Sequence, residues 1–209
     1  MNYEHKKALF NEMDEHLLFD DNPSKFLNKI SNEAVFSEFP FHIILRLKTT
    51  DQNREHHPEG SVWNHTVMVV DEAAKHKDRS ENPKAFMWAA LLHDIGKPDT
   101  TRVKRGKVTS YDHDIVGADL TRQFLCEFDL DKSFIQSVTA LVRWHMQILF
   151  VVNDMPFADL DSMSKEVNVN EIALLGLCDR LGRGKVNVKK EEENIRLFLA
   201  KAQKKGWNE

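Results

Sequence analysis

The chain has 209 residues, 41% hydrophobic and 30% charged, with a net charge of −4. That is enough apolar material to bury a core in one domain, or one domain with an appendage, so a disordered chain is excluded. The mild negative charge excludes tight non-specific binding to nucleic acid through bulk electrostatics and leaves only a local basic patch open.

No uninterrupted apolar run approaches the roughly 18 residues of a membrane span, and Met1 to Lys7 leads into no signal-like stretch, so a soluble cytoplasmic protein is expected. Cys126 and Cys178 each lie in an apolar helical pattern, which predicts small buried hydrophobes in a reducing compartment and excludes zinc-finger chemistry.

Residues 1–56 read as a helical preface, of which 1–39 would be an N-terminal extension and 40–209 the main domain. Phe10, Met13 and Leu17 form one stripe, and Asn22-Pro23 opens a short helix carrying Phe26, Leu27 and Ile30. The run from Phe39 to Leu47 is expected to pack on the core, with His42 structural rather than catalytic. In His56-His57-Pro58-Glu59-Gly60-Ser61 the Pro and Gly mark a tight turn, and Ser61 is placed to cap a helix whose apolar face includes Val62, Met68, Val69 and Ala73. His65 shares that face and is by itself either a satisfied core histidine or a ligand.

Pro83 to Leu92, capped by Asn82, is too continuously apolar for a surface helix. His93 and Asp94 end it, Gly96 is expected to terminate it and Pro98 to bar continuation. A carboxylate buried there unpaired would cost several kcal/mol, and a metal ion would satisfy both groups. The segment Thr100 to Tyr111 changes period and predicts a small hairpin or extended loop around Arg105-Gly106. Lys97, Arg102, Lys104, Arg105 and Lys107 gather positive charge after the His-Asp pair; such a run is ordinarily a solvated face, and here it also suits an anionic substrate.

His113-Asp114 opens the next helix, with Leu120, Phe124, Leu125 and Phe128 inward and with Gly117-Ala118 allowing close approach. The following helix spaces Phe134, Val138, Leu141 and His145 along one stripe, so His145 is a ligand or a buried neutral imidazole. Asn170 is read as the cap of the apolar helix Glu171 to Cys178, after which Asp179 needs a cation, either a metal or its neighbour Arg180. Val188 to Gln203 is amphipathic, with Ile195, Phe198, Leu199 and Ala202 inward. There are no internal repeats and no P-loop.

Together, His65, His93-Asp94, His113, His145 and Asp179 resemble the ordered signature of the HD superfamily of metal-dependent phosphohydrolases. The motifs His57-Pro58-Glu59-Gly60, Trp63-Asn64-His65-Thr66, His93-Asp94-Ile95-Gly96-Lys97, His113 with Gly117-Ala118, and Asp179 to Arg183 are similar to those of the HD domain of bacterial CCA-adding tRNA nucleotidyltransferases, over roughly residues 40–184. The resemblance implies an all-α HD-domain bundle and metal-dependent phosphodiesterase or phosphatase activity on 2',3'-cyclic phosphates, 2'-phosphates and related nucleotides or RNA ends. The N-terminal segment is too short for a nucleotidyltransferase head, so CCA addition is not carried over. The same ligand order also resembles stand-alone HD nucleotidases, triphosphohydrolases and RNA end-healing modules, and a non-catalytic nucleotide-sensing or RNA-binding module is the rival.

The expected metal ligands are thus His65, His93, Asp94, His113, His145 and Asp179, with Asp94, Lys97 and His113 catalytic and Lys97, Arg102 and Arg183 on the substrate. An all-nitrogen-and-oxygen set suits Mn, Fe, Co, Ni, Zn or Mg. His65, His93, Asp94 and Asp179 already serve one ion, so His113 and His145 point to a second ion bridged by Asp94, or to phosphate donors or a general acid. Lys97 could equally be a solvated lysine near a helix C-terminus.

Overall fold

A computed structural model describes residues 2–53, 57–184 and 186–204; His56, in the predicted turn, lies outside them. The architecture is all-α with one two-stranded hairpin. Its helices are α1 (Tyr3–Phe19), α2 (Ser24–Ile30), α3 (His42–Leu45), α4 (Val62–Ala74), α5 (Pro83–Leu92), α6 (Lys97–Thr100), α7 (His113–Leu125), α8 (Lys132–Trp144), α9 (Gln147–Val152), α10 (Leu160–Glu166), α11 (Val169–Leu181) and α12 (Val188–Lys204). Strands β1 (Thr101–Lys104) and β2 (Lys107–Ser110) pair antiparallel between α6 and α7. Arg105 and Gly106 turn them with φ of 52° and 76°, the left-handed backbone of a two-residue hairpin turn.

The continuous apolar run of α5 has the consequence expected of it, since every residue from Ala85 to Leu92 is buried. Asn82 caps the helix, accepting from Ala85 N, with Pro83 in its first turn. Helices α1, α4, α8 and α11 surround α5. Helix α1 belongs to the same core, because Phe10 stacks on Trp88 at 4.5 Å and Trp88 Nε1 donates to Asp14 Oδ1 at 2.8 Å. Ser24 at the start of α2 donates its backbone N–H and hydroxyl to Asp71 on α4. Of the predicted inward stripe of α12, Phe198 and Ala202 are fully buried and Ile195 and Leu199 pack partly against the core.

Several local expectations are corrected. Gly96 is no left-handed terminator: its φ is −80° and it caps α6, with Pro98 in the first turn of that helix instead of barring one. Its role is close approach, since a Cβ there would collide with the backbone of His113 and Gly117. Asn168, not Asn170, caps α11 by accepting from Asn170 N. Met68 is exposed on α4, and Cys126, just past the end of α7, is exposed while Cys178 is buried. The stretch Lys132–Val152 is long and apolar enough to cross a membrane, yet 56% of its window is buried in the fold. It is a core element that carries His145 to the interior.

Candidate metal centre

Five elements bring their polar ends to one point beside α5. His65 comes from the first turns of α4, His93 and Asp94 from the turn closing α5, His113 from the first residue of α7, His145 from the end of α8, and Asp179 from the last turn of α11. The four histidines and Asp94 are each at most 6% exposed. The six predicted ligands are therefore gathered in one site, although their sequence positions span 65 to 179.

The tautomers follow from the geometry. His93 Nδ1 lies 2.9 Å from Ala90 O, His113 Nδ1 2.7 Å from Ser110 O, and His145 Nδ1 2.7 Å from Val142 O. A carbonyl oxygen only accepts, so each Nδ1 carries a proton and each Nε2 is the ring nitrogen left to face inward as a metal ligand. Those nitrogens converge on one carboxylate. Asp94 Oδ2 faces His93 Nε2 at 3.2 Å and His65 Nε2 at 3.8 Å, and Oδ1 faces His113 Nε2 at 3.4 Å and His145 Nε2 at 3.9 Å. His113 and His145 bring Nε2 atoms within 3.2 Å of each other, and His93 and His65 within 3.3 Å.

Asp179 Oδ1 sits 3.0 Å from His65 Nε2, completing a cluster of His65, His93 and Asp179 beside one of Asp94, His113 and His145. Asp94 Oδ2 is buried, with the Lys97 ammonium 2.7 Å and His93 Nε2 3.2 Å from it. Imidazole Nε2 atoms and carboxylate oxygens at these separations require a proton or a cation between them, and such a donor set fits a divalent metal. Thiolates are absent from it, which leaves the metal's identity open.

Electrostatics divide the histidines. Burial, then the neighbouring His113 and His93, push His145 down to about 4, and burial likewise lowers His113 despite the nearby Asp94. His65 goes the other way: burial opposes its charge, but hydrogen bonds to Asp179 and Glu59 raise its pKa above the usual value. Burial also opposes the charge of Asp94, and the neighbouring His93 and Lys97 nevertheless hold it well below the usual carboxylate range.

Lys97 Nζ lies 2.7 Å from Asp94 Oδ2 as an ion pair and donates to Gln52 Oε1 at 2.8 Å. The ammonium stands beside the Asp94 carboxylate, not in solvent. Arg183 Nη2 reaches Asp179 Oδ2 at 3.3 Å, whereas Arg180 turns away to Glu191 at 3.0 Å, so the rival pairing of Asp179 with Arg180 is not formed. Arg102 is not brought to the site: its guanidinium bonds the carbonyls of Asp99 and Thr101 at 3.1 and 3.0 Å, on the exposed side of β1.

Sequence reading assigned no role to Glu59. Gly60, at φ 98°, closes the turn before α4, and the turn places Glu59 Oε1 2.9 Å from His57 Nδ1 and 3.1 Å from His65 Nδ1. A carboxylate behind a ligand histidine fixes its ring and tautomer. The signal available was His57-Pro58-Glu59 closing a turn directly before the helix that carries His65.

The site opens into a cavity of about 1150 Å³ whose lining includes Gln52, His57, Lys97, Lys107, Arg143 and Arg183. The family model described as "HD domain" matches residues 62–181. The chain belongs to the HD domain family.

Membership places this HD-family chain in a superfamily of metal-dependent phosphohydrolases. The "Multifunctional CCA protein" of Actinobacillus pleuropneumoniae serotype 5b is 36% identical over 107 residues, covering 49% of this chain and 24% of the relative. The "A-adding tRNA nucleotidyltransferase" of Deinococcus radiodurans is 38% identical over 78 residues, 35% of this chain and 18% of the relative. The "Multifunctional CCA protein" of Aromatoleum aromaticum is 46% identical over 55 residues, 26% of this chain and 12% of the relative. The chain thus matches a quarter or less of the length of these relatives.

Proposed function

We propose that this HD domain is a metal-dependent phosphohydrolase acting on nucleotide or RNA-end phosphate esters, as a 2',3'-cyclic phosphodiesterase or phosphomonoesterase. The observation that carries this reading is the convergence of three Nε2 lone pairs on the two oxygens of Asp94, with His65 and Asp179 alongside. A divalent ion bound there supplies Lewis-acid polarisation of the phosphoryl oxygen and acidifies the attacking water. Asp94, with one oxygen toward each pair of histidines, suits either a single ion or sharing between two.

The protein groups supply position and charge. His113, with its proton committed to Ser110 O, offers a lone pair and acts as a ligand in preference to a proton donor. Lys97, ion-paired to Asp94, and Arg183, on Asp179, hold positive charge at the edge of the ligand cluster, where charge develops on the phosphoryl oxygens. We place the protein in the cytoplasm, which the low cysteine content and the two free thiols suit.

The test is a panel of 2',3'-cyclic AMP, 2'-AMP, 3'-AMP, 5'-AMP and deoxynucleoside triphosphates with Mg, Mn, Co, Ni and Zn and after exhaustive chelation. Hydrolysis of at least one ester only in the presence of metal is expected. Full activity after chelation, or none on any ester, would overturn the reading and in the second case favour a binding module. Metal counting in the reconstituted protein decides between one ion and two.

A further inference from the structure

Beyond the metal ligands, the cavity has a second wall of a different kind. Tyr111, Ile115, Leu149 and Phe157 are 73%, 44%, 36% and 59% exposed, and all four line this one cavity, as does Phe150. Exposed aromatic and aliphatic groups concentrated at the mouth of a cleft mark a ligand surface. Tyr111 comes from the turn between β2 and α7, while Phe150 and Phe157 come from α9 and the loop after it, with ring centroids 5.6 Å apart.

That loop is built to hold its ring. The side-chain amide of Gln147, 2% exposed, donates to Phe157 O at 3.3 Å and accepts from Asp159 N at 2.8 Å. Met155 N donates to Phe150 O at 2.8 Å, and Lys201 from α12 donates to Val151 O at 2.9 Å. Arg143, also lining the cavity, lies 4.5 Å over the Trp144 ring and is tied to Asp114 at 2.6 Å, which fixes its guanidinium plane.

Three polar side chains of this wall are committed within the fold. Gln147 holds the loop, Trp144 Nε1 donates to Glu166 at 2.9 Å, and Arg143 is committed to Asp114. What the wall chiefly offers a ligand is π-faces, with the Tyr111 hydroxyl at its exposed edge. Stacking on aromatic rings and guanidinium planes is how proteins hold unpaired bases without reading their edges.

We propose that this aromatic wall is a nucleobase subsite, which makes the substrate a nucleoside phosphate held by stacking, selected against base-free phosphate esters and tolerant of base identity. The inference rests on the phosphohydrolase reading of the adjoining centre, which supplies the anchor for the phosphate. It names what lies on the other side of the ribose.

Binding of non-hydrolysable phosphonate analogues of 5'-AMP, 5'-UMP and ribose 5-phosphate to the manganese-loaded protein tests it, read by calorimetry and by quenching of tryptophan fluorescence. The AMP analogue should bind about tenfold or more tighter than the ribose analogue, and the UMP analogue within about tenfold of AMP. Phe157→Ala and Tyr111→Ala, both at exposed positions, should each narrow the AMP-to-ribose ratio severalfold.

Equal affinity for the AMP and ribose analogues, or a ratio unmoved in both variants, would overturn the proposal; melting curves of the variants exclude misfolding as the cause. The two readings fail separately. Base selectivity in a protein that hydrolyses no ester would sink the hydrolase reading alone, whereas hydrolysis with no preference for a base would sink only the subsite.

Discussion

Asp94 holds the centre together because each of its oxygens faces a different pair of imidazoles while Lys97 neutralises it from the side. Asp94→Ala removes the shared carboxylate but leaves the surrounding helices their packing, so turnover and tightly bound metal should be lost while far-UV circular dichroism stays close to wild type. Retention of more than a small fraction of the wild-type rate would show that the centre is assigned to the wrong residues. Glu59 acts one step further out, through His65 and His57. Glu59→Gln should weaken metal binding by about ten- to a hundredfold while sparing kcat at saturating metal, because the ligand ring is loosened but not removed. Unchanged metal affinity would reduce Glu59 to a turn residue.

At the level of elements, the site depends on how closely the turn after α5 approaches the start of α7. Gly96 lies against His113 O and Gly117, and Gly117 in turn lies against Val142 of α8. Neither contact has room for a methyl group at Gly96, where the obstructing atoms are backbone. Gly96→Ala should therefore destabilise the fold by about 1–3 kcal/mol, the usual range for overpacking. For a chain of this size that corresponds to a fall in Tm of roughly 3–10 °C. The same substitution should weaken metal binding, since the element displaced is the one that carries His113. A Tm within error of wild type would mean that the close approach is not rigid.

For the whole molecule, gathering so many titratable groups in one interior makes stability depend on acid. Burial holds His57 and His145 at about 4, against a free value of 6.5, so between those pH values the unfolded chain binds more protons than the folded one. Stability contributed by their neutrality is present above 6.5 and lost as pH falls toward 4. His65, with a raised pKa, works in the opposite sense: its contribution is full below 6.5 and fades as pH rises through its folded value. Burial resists charge on Glu59, but its hydrogen bond from His65 brings it to about 2, so it too loses its stabilising contribution in acid. The metal-free protein should melt at progressively lower temperature from pH 7 to 4.5, as followed by calorimetry in chelator. A flat profile over that range would show that these imidazoles are not held neutral inside.

The fold and the centre were legible to different depths. Apolar periodicity and capping residues determined α1, α2, α4, α5, α7, α8, α11 and α12, the burial of α5 and the hairpin at Arg105-Gly106, because these depend on local backbone preference and on which face must leave water, whereas the short helices α3, α6, α9 and α10 were not read from it. The recurrence of His and Asp on apolar segments raised His65, His93, Asp94, His113, His145 and Asp179 as candidates, each also open to an ordinary buried pairing, and it was the likeness of the whole set to the HD superfamily that joined them into one centre. What periodicity does not carry is where a long side chain ends. Arg180 and Arg183 both follow Asp179 closely, yet only Arg183, one helical turn on, folds back to it while Arg180 reaches Glu191 on α12. Arg102 belongs to the same charge run as Lys97 but sits on the outer side of β1, bonding carbonyls of its own segment. Gly96, read locally as a terminator, is needed because another helix passes within contact of it. Cys126, in an apolar sequence context, emerges exposed because it lies beyond the end of α7. Each of these was decided by contacts between segments distant in sequence or by the rotamer of a flexible side chain, and local pattern constrains neither.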